Sequence, residues 1–278
     1  MLETILSGCH SIDMLEESNG ENRLIGDPVD LACFQHSKWS FEGHESNSAQ
    51  RMKVNPSHAS DYPVRLWQLK SFPFDATRRC SSALVLTLSS RGHFNLMKLV
   101  KGAPETMQTK FEPDATVHQW YEDQMSRLSS KGSRIITLAV AHVSDKDELL
   151  LGLFPDGLPA RIEDTDKNNI DRAVAATISE ARTLADQKVH RSSVESGDSF
   201  DFIGLACFDA SLRPSTSRIL SQLRNSGIYS CMLTGDNIDA AVAVAKDGEQ
   251  ILLCVLLLYF RVTLSSLEND KLLSPCSA

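Results

Sequence analysis

Apolar positions along the chain fall into two periods, and their alternation sketches the fold. Val64 to Leu69, Ser82 to Ser89 and His93 to Val100 read as strands, the last two joined by Ser90-Arg91-Gly92 in a hairpin-like pattern. Arg134 to Val143 alternates poorly, which predicts a strand buried on both faces. Helical spacing marks Ala115 to Lys131, with Trp120, Met125 and Leu128 inward and Gly132 placed to end the helix. Thr4 to His10 predicts a short helix. Pro28 to His36 predicts another, because proline suits a first helical turn and Asp27 is a good N-cap.

Polar stretches lie between these runs. Ser40 to Asp61 has no usable period and reads as a surface loop. From 144 to 199 the chain reads as an insertion and linker: Leu149 to Leu153 is a short apolar run, and Ile170, Val174, Ile178, Ala181 and Leu184 recur at helical spacing on a helix expected at the domain edge. His190 to Ser199 reads as a polar linker without a period. After it, Phe200 to Phe208 is an apolar strand, and a helix begins at Leu212-Arg213-Pro214 and ends near Asn225, with Ile219, Leu220 and Leu223 inward. A short strand over Ile228 to Leu233 would complete a βαβ unit, so the first and last of these three elements are expected to lie parallel. The change from antiparallel to parallel patterns predicts a domain boundary near residue 205.

Composition narrows the classes. The 278 residues are 42% hydrophobic, enough for one large domain or two modest ones, and the formal net charge of -8 argues against a nucleic-acid partner, which needs a broad basic field. Seven cysteines are scattered without C-x-x-C pairs, so neither a disulfide framework nor a zinc site is suggested. The start of the chain lacks a secretory pattern, and Ile251 to Phe260 is about half of the roughly 20 apolar residues that span a bilayer.

Candidate chemistry gathers at two loops. The strand ending at Val100 runs into Lys101-Gly102-Ala103-Pro104-Glu105, where an ammonium meets a bare backbone, an arrangement suited to a nucleotide phosphate or sugar edge. Phe74 stands near a strand end, where an aromatic ring can stack on a base, and Arg134 is a second local cation. The other loop is Cys231-Met232-Leu233-Thr234-Gly235-Asp236-Asn237, between a short strand and the predicted helix Ile238 to Lys246. Thr234 offers a hydroxyl, Gly235 a close backbone and Asp236 a carboxylate for a cation or a water.

These segments resemble the cytosolic part of P-type ATPases. Gly26-Asp27-Pro28-Val29-Asp30, the Phe74 segment, Val100 to Glu105, Gly132-Ser133-Arg134, Leu212-Arg213-Pro214 and Met232 to Asn237 occur in that family's order and approximate spacing. Gly8-Cys9-His10-Ser11 and the run from Asp30 to Trp39 look like type V pumps, subgroup B, which are similar to lysosomal or vacuolar exporters of polyamines and cations. Subgroup A, of the endoplasmic reticulum, is the close competitor. The fold this resemblance implies is α/β (α+β): an antiparallel-sheet nucleotide-binding domain with flanking helices over 1–205, part of a haloacid-dehalogenase-like doubly wound phosphorylation domain over 206–250, and a divergent tail over 251–278.

The resemblance also implies roles. ATP would bind with its adenine against Phe74, near Lys101, Gly102, Asp27, Asp30 and Arg134, and Arg213 would stand at the hinge between domains. Thr234, Gly235 and Asp236 would position the phosphoryl group and its Mg2+. The family's phosphorylated aspartate lies in an Asp-Lys-Thr-Gly-Thr motif, which these residues do not contain. The later Gly-Asp-Gly-x-Asn-Asp element of the magnesium site is missing as well. The expectation is therefore an ATP-binding portion without catalysis of its own, touching a membrane only through transmembrane segments that these residues lack. A stand-alone nucleotide- or partner-binding module is the alternative.

Overall fold

The computed structural model describes residues 1–16, 21–37, 39–41, 51–54, 63–111, 115–143, 148–162, 172–195, 200–209, 212–230 and 238–247. In chain order the elements are α1 (Leu2–Gly8), β1 (Asp13–Glu16), β2 (Asn22–Ile25), α2 (Pro28–His36), β3 (Trp39–Phe41), β4 (Arg51–Val54), β5 (Pro63–Asp75), β6 (Cys80–Ser89) and β7 (Phe94–Gly102). They continue with α3 (Pro104–Met107), α4 (Ala115–Ser129), β8 (Arg134–His142), α5 (Glu148–Leu153), α6 (Arg172–Lys188), α7 (Arg191–Glu195), β9 (Asp201–Phe208), α8 (Thr216–Asn225) and α9 (Ile238–Asp247).

The chain divides into two units, Met1–Met125 with Ile135–Cys207, and Ser126–Arg134 with Phe208–Ala278. The first is built on a seven-stranded sheet in which β3 to β9 stand side by side in sequence order. The ladders from β3 through β8 are antiparallel, so consecutive strands pair with their chain neighbours and no crossover is needed. A small antiparallel ribbon, β1 with β2, precedes α2.

β6 runs through the middle, and nine of its apolar or small residues in a row, Cys80 to Leu88, are buried, because helices cover both faces. Alternation sends successive side chains to opposite faces. Gly8 of α1 lies against Leu66, Val85 and Leu99, so the odd positions of β6 look toward α1 and α2. Leu84, Leu86 and Leu88 pack instead with Trp67, Phe154, Ile178, Ala181 and Ala185, on the face covered by α5 and α6. A second buried cluster, Val100, Met107, Phe111, Tyr121 and Phe200, closes the end of the sheet near α3 and α4.

Several sequence expectations need correction. The apolar stripe of α6 covers a face of the sheet, where Ile178, Ala181 and Ala185 are core, rather than docking at an edge. The polar stretch after it contains α7, whose Val194 and Glu195 are buried. Ser40 to Asp61 includes β4, paired to β3 and β5; its Arg51-Met52-Lys53-Val54 pattern is too short to stand out without its neighbours. On α4 it is Tyr121 that turns inward, hydrogen-bonded to Pro104 O at 3.0 Å and to Thr137 Oγ1 at 2.6 Å, whereas Trp120 is exposed. The strand at Phe200 to Phe208 is β9, which joins the seven-stranded sheet beside β8, with Phe202 packed on Phe111 and Tyr121. Ile228 to Ser230 is not a strand, and Cys231 to Leu233 lie outside the described residues.

In the second unit, Gly132 has φ +81, a left-handed conformation that ends α4, and a Cβ there would meet Ala243 of α9 at 3.3 Å. Ser133 Oγ donates to Asp209 Oδ1 at 2.5 Å. α8 forms as its helical period predicts, and Gly227, with φ +78, follows its end. No residue of α8 is buried, and Ile219 is exposed despite its place on the expected inner face. Among the described residues, no helix is long and apolar enough to cross a membrane.

Candidate functional site

Asp27 caps α2 through local chemistry. Its Oδ1 accepts from Val29 N at 2.8 Å and from Asp30 N at 3.4 Å, so a carboxylate with an available backbone amide pair is what starts this helix after Gly26. The cap orients the first turn so that Asp30 points at the sheet. Asp30 Oδ1 accepts from Lys101 Nζ at 2.5 Å, and its Oδ2 accepts from Ser11 N at 2.9 Å. Lys101 is 3% exposed at the end of β7. A buried ammonium needs such a counter-charge, since removing one partner of a buried pair costs about 3–5 kcal/mol.

The surroundings are set by this pair. Burial opposes the Lys101 ammonium, but the Asp30 carboxylate that accepts its hydrogen bond outweighs it and holds the lysine above its usual pKa. Burial pushes the Cys9 thiol up to about 12, so it is a neutral packing group, with Sγ directed at Ser81 O. His10 is lowered to about 4, first by burial and then by the Lys101 charge. It is therefore neutral at pH 7, and its Nδ1 accepts from Ile12 N at 3.1 Å. Its ring meets Phe34 and Phe41 edge-on. The Gly8-Cys9-His10-Ser11 segment is thus a structural bracket for the Asp30–Lys101 pair, and Gln68 fastens it by donating to Gly8 O and His10 O.

Phe74 stands in the same row as Lys101. The β5–β6 ladder pairs Phe72 with Ser82 and Asp75 with Cys80, leaving Pro73 and Phe74 together opposite Ser81 as a bulge. Ser81 pairs on its other side with Lys101. Phe74, Ser81 and Lys101 therefore occupy one line across three strands, and two strand spacings put their backbones about 10 Å apart. Proline is tolerated inside β5 because the bulge asks for no ladder donor there. The ring is 60% exposed, an unusual state for a phenylalanine in a strand.

Gly102 follows Lys101 for a packing reason. Ala103 N donates to Arg79 O at 2.9 Å, and a Cβ on Gly102 would lie 2.7 Å from both Arg79 O and Cys80 Cβ. The lysine loop is thus pressed onto the β5–β6 turn that carries Phe74. Arg79 itself has φ 51 and lies 3.6 Å from Glu105.

The structure therefore brings Asp27, Asp30, Phe74, Lys101 and Gly102 to one end of the sheet in the first unit. Arg134, exposed at the start of β8, and Arg213, exposed at the turn before α8, belong to the second unit. Thr234, Gly235 and Asp236 lie outside the described residues. Sequence reasoning missed Ser11, whose amide holds Asp30, and Glu195 on α7, whose carboxylate bonds Ser82 Oγ at 2.9 Å on the opposite face of β6. Among the described residues, no group of three or more His, Cys, Asp or Glu could hold a metal ion.

The mixed α/β arrangement of an antiparallel sheet with flanking helices is consistent with a nucleotide-binding domain fragment. The chain is 27% identical over 255 residues to "Probable cation-transporting ATPase 13A5" of Mus musculus, covering 88% of this chain and 17% of that protein. It is 24% identical to "Polyamine-transporting ATPase 13A3" of Mus musculus, over 89% of this chain and 18% of that protein. It is 26% identical to "Probable manganese-transporting ATPase PDR2" of Arabidopsis thaliana, over 87% of this chain and 15% of that protein. No family model matches the chain. The chain is related to the type V P-type ATPases, and it spans about a sixth of the length of the curated relatives it matches.

Proposed function

We propose that the first unit binds ATP, with the purine on Phe74, as a cytosolic portion of a type V transport ATPase of an organelle membrane. The observation that carries the reading is the row Phe74, Ser81, Lys101: an exposed aromatic face beside a buried polar pair at one sheet end. Stacking contributes about 0.5–1.5 kcal/mol beyond area burial. Asp30 neutralises Lys101, so the couple suits the polar edge of a purine better than a phosphate, and a lone unit is expected near millimolar affinity, about -4 kcal/mol.

Subgroup B remains the favoured reading from Gly8-Cys9-His10-Ser11, and with it polyamine or cation transport by the whole pump. Thr234, Gly235 and Asp236 are proposed to position the phosphoryl group with Mg2+, and Arg134 and Arg213 to serve the nucleotide and the hinge. These residues contain no Asp-Lys-Thr-Gly-Thr nucleophile, so they supply binding and positioning without the covalent step.

Phe74→Ala is the clean probe, because the ring is exposed and its loss leaves the core intact. Lys101→Glu would instead bury two carboxylates together. Titrating ATP into the full chain, followed by calorimetry or chemical-shift changes, should give saturable binding that weakens about three- to tenfold in Phe74→Ala with an unchanged melting temperature. Equal affinity in the two proteins would remove the purine from Phe74.

A further inference from the structure

The bulge that carries Phe74 is held from behind by α7, a segment that reads as linker in the sequence. Arg191 Nη2 donates to Pro73 O at 2.6 Å, and its Nη1 donates to Cys80 O at 3.4 Å, so one guanidinium spans both strands at the base of the turn. Its carbon lies 5.4 Å from the centroid of Phe72, two residues before Phe74. The guanidinium is itself fixed: Glu195 Oε1 accepts from Arg191 Nη1 at 3.1 Å and from Ser82 Oγ at 2.9 Å, while Glu195 Oε2 accepts from Arg78 Nη1 at 3.1 Å. Glu195 is 4% exposed, and Lys110 Nζ donates to its main-chain oxygen at 3.0 Å. A buried carboxylate with three side-chain donors, from a strand, a turn and a helix, is a costly arrangement to maintain for packing alone.

We infer that Arg191 is a positioning residue for nucleotide recognition: clamped by Glu195, it fixes the Pro73–Phe74 bulge and so the ring on which the purine stacks. This rests on the reading that Phe74 receives the base. The bulge is where β5 leaves its ladder, and a proline there donates no hydrogen bond of its own, so the carbonyl held by Arg191 is the anchor the bulge has on that side. A planar fork can hold Pro73, Cys80 and Glu195 together, whereas an ammonium cannot reach all three.

The test uses the full chain with ATP as probe. Arg191→Lys keeps a charge beside Glu195 and loses the fork. It should weaken ATP binding by no more than Phe74→Ala does, about three- to fivefold. Introduced into Phe74→Ala, the same substitution should change affinity by less than about twofold, because the group it acts through is gone. A full additive loss in that background would overturn the inference, showing that Arg191 acts by another route. Amide hydrogen exchange gives a ligand-free readout: Arg78 and Arg79, in the turn, should exchange faster in Arg191→Lys while β7 is unchanged. Unaltered exchange there overturns the latch. If the wild-type chain shows no ATP binding, the purine reading fails and exchange alone decides whether Arg191 holds the turn.

Discussion

Lys101 Nζ lies 2.5 Å from Asp30 Oδ1, joining the last turn of β7 to the first turn of α2 across 71 residues of chain. The pair is buried at one end of the sheet, and its energetics can be separated from any ligand.

Asp30→Asn removes the counter-charge and leaves a buried ammonium, so the variant should lose about 3 kcal/mol or more in urea unfolding, followed through buried Trp67. The double replacement Asp30→Leu with Lys101→Met should recover at least about half of that loss, because apolar groups of similar size do not need each other's charge. A double variant no more stable than Asp30→Asn would show that Ser11 and the Asp30 carboxylate matter more than the charge pair.

His10 gives the unit a pH dependence of definite sign. Its pKa is lowered to about 4 in the folded chain against about 6.5 unfolded, so between these values the unfolded state binds more protons. Stability is then fully present above pH 6.5 and is lost as pH falls toward 4, by about 3 kcal/mol in total. The difference between the wild-type chain and His10→Gln, measured by thermal melting across that window, isolates this contribution from the carboxylates. Parallel curves for the two proteins would assign the acid sensitivity elsewhere.

Gly102→Ala forces a methyl group to 2.7 Å from Arg79 O and Cys80 Cβ. Backbone must shift to relieve it, and the expected cost is about 1–3 kcal/mol in urea unfolding. Because Ala103 N bonds Arg79 O, the shift should also loosen the turn beside Phe74 and weaken ATP binding. A variant as stable as wild type would mean that the two loops are not in fixed contact.

What the sequence made legible was whatever rests on neighbours in the chain. Asp27 followed by Pro28 is a helix start that needs no tertiary help, and the structure places the cap there. The runs around Leu84 and Leu96 are apolar enough to be strands wherever they pair. β4 was hidden because three or four residues acquire strand character only from partners on both sides. α7 was hidden because Arg191-Ser192-Ser193-Val194-Glu195 is polar, and the donors that justify burying Glu195 come from Arg78 and Ser82, more than a hundred residues earlier. The place of β9 beside β8 was not legible, because a strand's partner is chosen by which edge is open and not by the strand's own residues. The Asp30–Lys101 contact was foreshadowed only as two residues implied at one site; Ser11, which completes it, stood out only as part of Gly8-Cys9-His10-Ser11, with nothing to mark its amide as a donor to Asp30.

β6 separates two charged assemblies by the thickness of a single strand. Ser81 is in line with Lys101 and Asp30 on one side, and Ser82 reaches Glu195 and its arginines on the other. Between them and Thr87 the strand is hydrocarbon, Ala83 to Leu86, which would tolerate sliding by one residue, with one greasy side exchanged for the other. Such a slip would strip both ionic knots of their neighbours at once. Two adjacent serines thus act as an alignment mark, giving a mostly oily ribbon a single permitted setting.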